Sequence, residues 1–134
     1  MKRLVYLISP DTINQSFYSS LDKVLSFKNV AFFQLRLKNL SQKKLLNISK
    51  KIKKITTKHK VNFIINDYYL LTSKVKADGC HMGQLDGSIK IARKKLKGKI
   101  LGITCHNSEI LAKDAIKNKA DYLAFGSFYK SKLK

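Results

Sequence analysis

The chain has 134 residues, an apolar content of 44% and a formal net charge of +20 at pH 7. That length suits one domain with a real core, and that apolar content argues against wholesale disorder. The run from Leu4 to Ile8 is far too short for a membrane span or a signal core, and no other apolar stretch approaches spanning length. A soluble, cytoplasmic, single-domain protein is expected. Cys80 and Cys105 lack CxxC spacing and secretory context, which favours buried free thiols over a disulfide or zinc site. The positive charge is almost wholly lysine, the arginines being Arg3, Arg36 and Arg93. Arginine dominates specific phosphate and base contacts, whereas lysine is the commoner solvated residue. The densest run, Lys43 to Lys60, is interleaved with Leu45, Ile48, Ile52 and Ile55 at helical spacing, so its lysines fall on the outer face of an amphipathic helix. A solvated surface is expected, and a nucleic-acid footprint is disfavoured.

Along the chain, short β-like runs alternate with amphipathic helices. Leu4–Ile8 reads as the first strand, followed by a helix from about Asn14 to Phe27. Ala31–Leu37 follows, then a helix capped by Ser41 that reaches about His59. Val61–Ile65 precedes a short helical piece at Tyr68–Lys74, and Gly79–Met82 precedes a helix at Ser88–Leu96. Ile100–Thr104, a helix at Ser108–Asn118 and Tyr122–Phe125 complete the pattern.

Strict βαβα alternation predicts parallel strands with helical crossovers. An open dinucleotide-binding sheet should carry a glycine-rich turn after its first strand, and Ser9-Pro10-Asp11 is not one. The polar residues cluster instead at the C-terminal ends of strands two to six, where barrel enzymes build their sites. The expected fold is α/β, of (β/α)8 TIM-barrel type, with only about six of the eight strands in this chain. Closed barrels of this kind run from about 200 residues upward. A truncated chain, inactive on its own for want of the last two strands, is therefore an expectation.

Period-two alternation puts Gln34, Arg36 and Lys38 on one face of the second strand, opposite Phe33, Leu35 and Leu37. If the apolar face packs on helices, the polar set faces the barrel interior near its mouth. Two like charges there call for an anion. Asn66-Asp67 ends the third strand and Asp86 follows the fourth. Carboxylates at the ends of adjacent strands are hard oxygen ligands suited to Mg2+, with Asn66 a neutral donor for a phosphate oxygen. Each aspartate also has a plain alternative as a helix N-cap. Thr104 and His106 present a hydroxyl and an imidazole after the fifth strand.

The succession Gln34-x-Arg36-x-Lys38, Asn66-Asp67, His81-x-Gly83-Gln84-x-Asp86, Gly102-x-Thr104-x-His106, Asp121-Tyr122 and Gly126 to Ser131-x-x-Lys134 resembles the thiamine-phosphate synthase family, over essentially the whole chain. The resemblance implies coupling of hydroxymethylpyrimidine diphosphate with thiazole phosphate to give thiamine phosphate and diphosphate. It implies diphosphate contacts from Gln34, Arg36, Lys38, Asn66 and Lys134, and Mg2+ ligation by Asp67 and Asp86. Arg36, Lys38 and Lys134 would stabilise the departing diphosphate. Thr104, where the family usually has serine, would touch the pyrimidine substrate, and Ser131 would lie near the thiazole phosphate. Lys130 replaces the family's proline before Ser131, and Leu133 replaces a second hydroxyl of that loop. A tautomerase of the same fold acting through His106, a lysine-rich nucleic-acid binder and an inactive fragment stay open as alternatives, as does a homo-oligomer.

Overall fold

A computed structural model describes residues 3–129, so Ser131 and Lys134 lie outside the described residues. The elements run β1 (Val5–Ile8), α1 (Gln15–Leu25), β2 (Val30–Leu35), α2 (Gln42–Lys58), β3 (Asn62–Asn66), α3 (Tyr69–Lys74), β4 (Gly79–Met82), α4 (Ile89–Lys95), β5 (Ile100–His106), α5 (Glu109–Lys117) and β6 (Tyr122–Phe125). Every element expected from the sequence is present. β2 stops pairing at Leu35, short of Leu37, because its last partner is Ile65, one residue before β3 ends at Asn66. β5 runs past Thr104 to His106, which regains a partner in Phe125 after an irregular step in register.

Four helices start where a short polar side chain supplies an acceptor. Asn14, Ser41, Ser88 and Ser108 accept from the backbone N–H of Phe17, Lys44, Ile91 and Leu111 respectively. Such caps satisfy donors the first turn leaves unpaired. α3 is the exception, since Tyr68 at its N-cap makes no side-chain cap bond.

The strands lie in the order β1-β2-β3-β4-β5-β6, each neighbouring pair parallel. The sheet is strongly curled. Flat strands at normal spacing would put β1 and β6 about 24 Å apart. Instead Tyr6 of β1 and Tyr122 of β6 meet with their hydroxyls 2.6 Å apart and their ring centroids 5.6 Å apart. The six strands therefore form an arc of a barrel, with an inner and an outer face.

Alternation sorts side chains between those faces. Outward, Phe33, Leu35, Phe63 and Ile65 pack with Leu21 and Leu25 of α1 and Leu45 and Ile52 of α2. A second outer cluster joins Cys80, Met82, Leu101, Ile103 and Cys105 to Ala92, Leu96, Ala112 and Ala115. Both cysteines are buried free thiols, as their spacing predicts. Two aspartates fix the N-terminal ends of the strands. Asp78 precedes β4 and accepts from Phe63 N at 2.8 Å while pairing with Lys53 at 2.8 Å. Asp121 precedes β6 and accepts from Leu101 N at 2.7 Å while pairing with Arg93 at 2.8 Å. Each locks a strand to its neighbour at the end remote from the site, where barrel residues serve stability.

Candidate active site at the C-terminal ends of the strands

Gln34 of β2, with Arg36 and Lys38 just beyond the strand, occupies the inner face at graded depth. Gln34 is only 3% exposed. Arg36 is half-buried, with its guanidinium 3.8 Å from Asp11, and Lys38 is exposed at the rim. Ser9 holds the strand end by accepting from Arg36 N at 2.9 Å. Leu37 remains in the outer core, so the alternation continues beyond the last paired residue.

Below the rim, polar side chains join across the interior. Gln34 Nε2 donates to Asn66 Oδ1 at 2.6 Å, and Tyr6 donates to Gln34 Oε1 at 2.9 Å. The Tyr6 hydroxyl meets that of Tyr122, which lies 2.9 Å from His81 Nδ1. His81 Nε2 lies 2.8 Å from Thr104 Oγ1. Burial drives these groups toward their neutral forms: His81 is pushed down to about 4, Tyr6 up to about 12, and Tyr122 further up. Gly102 makes room for the network, because a Cβ there would fall inside the Tyr122 ring.

Asp67 and Asp86 meet at the mouth. Asp67 takes a left-handed φ of 66°, a conformation aspartate tolerates better than most residues. That turn directs the chain into α3. The Asp67 carboxyl is pushed up to about 6, first by burial and then by its hydrogen bond and repulsion with Asp86, against the pull of Lys38 and Arg36. Asp86 is fixed by accepting from Gly83 N at 2.7 Å, and a Cβ at Gly83 would sit 2.9 Å from that same oxygen. The capping alternative fails for both residues, since α3 is capped by Tyr68 without a side-chain bond and α4 by Ser88. A cavity of about 570 Å³ adjoins the pair, lined also by Gln42, Tyr68, Leu71, Lys74 and Leu85.

Among the described residues, no group of three or more His, Cys, Asp or Glu side chains is arranged to hold a metal. Two crowded oxygen donors beside a basic rim nevertheless match the usual Mg2+ arrangement, in which one or two carboxylates leave positions for substrate phosphates. The structure thus brings together Gln34, Arg36, Lys38, Asn66, Asp67, Asp86 and Thr104. His106 is exposed, with φ of 50°. Sequence reasoning gave no role to Tyr6, His81 or Tyr122. His81 and Tyr122 stand inside the quoted motifs, but Tyr6 sits in a run that reads as simply apolar.

The fold is an arc of a parallel β/α barrel, with an acidic pair and basic residues at the C-terminal mouth, the face where barrel enzymes build their sites. The chain belongs to the thiamine monophosphate synthase family, whose model matches residues 5–134. It is 58% identical to thiamine-phosphate synthase of Pelagibacter ubique over 134 residues, covering 99% of this chain and 65% of that protein. It is 39% identical to thiamine-phosphate synthase of Erythrobacter litoralis over 133 residues, covering 97% of this chain and 62% of that one. Thiamine phosphate pyrophosphorylase from Pyrococcus furiosus superposes with a TM-score of 0.82 at 25% identity, covering 96% of this chain and 61% of that one. The chain therefore spans just under two thirds of the length of these relatives.

Proposed function

We propose that this chain carries the diphosphate-binding half of a cytoplasmic thiamine-phosphate synthase site, which couples hydroxymethylpyrimidine diphosphate with thiazole phosphate. The observation that carries the proposal is that Asp67 and Asp86 line one cavity, near enough for Asp86 to push the Asp67 carboxyl up while Lys38 and Arg36 pull it down. Paired carboxylates that repel one another, within the field of two cations, suit a metal-bound polyanion better than a bare anion or a bare cation. The tautomerase alternative gives this pair no task.

Asp67 and Asp86 would hold Mg2+, which when bound offsets charge on the diphosphate. Arg36 and Lys38 flank the leaving group, with Lys134 completing the set by its match to the family motif. Their preorganised charge stabilises the oxygen that receives the electron pair as the carbon–oxygen bond breaks. Asn66, held by Gln34, offers amide hydrogens to a phosphate oxygen. The pyrimidine-methyl cation left behind is captured by the thiazole nitrogen, so no protein nucleophile is needed. Thr104 would orient the pyrimidine ring, and Ser131 would approach the thiazole phosphate.

Titration calorimetry with hydroxymethylpyrimidine diphosphate and Mg2+ tests this directly. Binding should require Mg2+ and weaken by at least about tenfold when Asp67 and Asp86 are both changed to Ala, the loss of one or more charge-assisted contacts. Equal binding by that double variant would overturn the proposal.

A further inference from the structure

The interior network leaves each hydroxyl proton one place to go. A tyrosine hydroxyl carries one proton, and a glutamine carbonyl only accepts. Tyr6 gives its proton to Gln34 Oε1 at 2.9 Å, so at the 2.6 Å contact Tyr122 must donate to Tyr6. The Tyr122 proton is then spent, and the 2.9 Å contact to His81 Nδ1 is satisfied only by an Nδ1–H donor. A neutral imidazole protonated at Nδ1 has a lone pair at Nε2, so Thr104 gives its hydroxyl proton across the 2.8 Å contact. At the other end Gln34 Nε2 donates to Asn66 Oδ1, which leaves the Asn66 amide nitrogen as that residue's outward face.

We infer that Thr104, His81, Tyr122, Tyr6, Gln34 and Asn66 form a one-way hydrogen-bond relay that presents Thr104 to a ligand as an acceptor and Asn66 as a donor. The site thereby selects a molecule with an anionic oxygen at one end and an N–H or O–H donor at the other. Tyr6, Tyr122 and His81 are positioning residues, and reversing any one link reverses them all. The ligand's identity rests on the proposed function, in which the diphosphate meets Asn66 and an amino-substituted pyrimidine meets Thr104. The direction of the relay does not.

Long-range ¹H–¹⁵N spectroscopy of the ligand-free chain at neutral pH reads the His81 tautomer directly. The wild-type protein should show Nδ1–H with an unprotonated Nε2. Tyr6→Phe removes the acceptor for Tyr122 without touching His81, so the Tyr122 proton turns to Nδ1 and His81 should switch to Nε2–H. A merely structural tyrosine would leave the tautomer alone. The same variant should bind hydroxymethylpyrimidine diphosphate about tenfold more weakly, the effect of one misdirected buried hydrogen bond. An Nε2–H form in the wild type, or an unchanged tautomer in a folded Tyr6→Phe, overturns the relay. If Tyr6→Phe does not fold, the wild-type tautomer alone decides. A switch without any binding of the diphosphate would uphold the relay and refute the functional reading.

Discussion

Gly102→Ala is the smallest change that strikes the centre of the site. Gly102 pairs with Tyr122 across β5 and β6, and a Cβ on Gly102 would lie 1.9 Å from the Tyr122 ring carbon that bears the hydroxyl. The added methyl would occupy ring atoms, and the backbone beneath is held by strands on both sides. Tyr122 must therefore move. Overpacking of this kind costs about 1–3 kcal/mol, and a buried hydroxyl torn from its partners about 1–3 kcal/mol more. A loss of about 3–4 kcal/mol is expected, or a fall in Tm of roughly 10 °C for a domain of this size. Urea unfolding followed by circular dichroism would measure it, with the slope unchanged if only the native state is affected. Adding Tyr122→Ala supplies the control, because the methyl then enters empty space and Gly102→Ala should cost under about 0.5 kcal/mol in that background. A cost below about 1 kcal/mol in the wild type, or additivity with Tyr122→Ala, would refute the reasoning.

Acid should destabilise the protein through His81. Its folded-state value of about 4 lies below the ordinary 6.5, so its stabilising contribution is complete above pH 6.5 and drains away as pH falls toward 4. The full span is worth about 3 kcal/mol. His81→Gln should flatten the fall in urea midpoint over that window, and an unchanged slope would count against a buried neutral imidazole. Asp67 works with the opposite sign: raised from 3.8 to about 6, it favours the fold below pH 4 and loses that contribution as pH rises through 6. Asp67→Asn should therefore raise metal-free stability at pH 7 by about 1 kcal/mol, a figure reduced for a half-exposed carboxyl, while weakening Mg2+-dependent diphosphate binding. Calorimetry and unfolding on the same sample check both halves, and a stability loss would contradict the crowding of the two carboxylates.

Much of this arrangement is local information, and local information survives in a sequence. Phe33, Leu35 and Leu37 alternate with Gln34, Arg36 and Lys38, and the sheet puts the first set under helices and the second on the inner face. Ser41, Ser88 and Ser108 mark helix starts by one hydrogen bond each. The aspartates are ambiguous in sequence because a residue just before a helix suits both a cap and a ligand; only the caps in the structure, Tyr68 and Ser88, separate the two roles. The relay was illegible for a different reason. Tyr6 and Tyr122 are 116 residues apart, and their meeting depends on the accumulated curl of six strands. No periodicity encodes that sum. Gly102 likewise reads as a permissive strand glycine until the ring above it is known.

The unbroken strand order also governs how such an arc can be made. Each strand pairs with the one synthesised just before it, so the sheet grows from a single advancing edge and never has to wait for a distant partner. Each pairing spans a single helical crossover, which spares the sheet the longer loop closures that a rearranged strand order would need. The Tyr6–Tyr122 pair is the exception, a contact across 116 residues that needs the completed curl of the sheet. With no tryptophan in the chain, emission from its six tyrosines is unobscured. A change in tyrosine fluorescence that lags the far-ultraviolet signal would time the moment at which a growing ribbon bends round to become an enclosure.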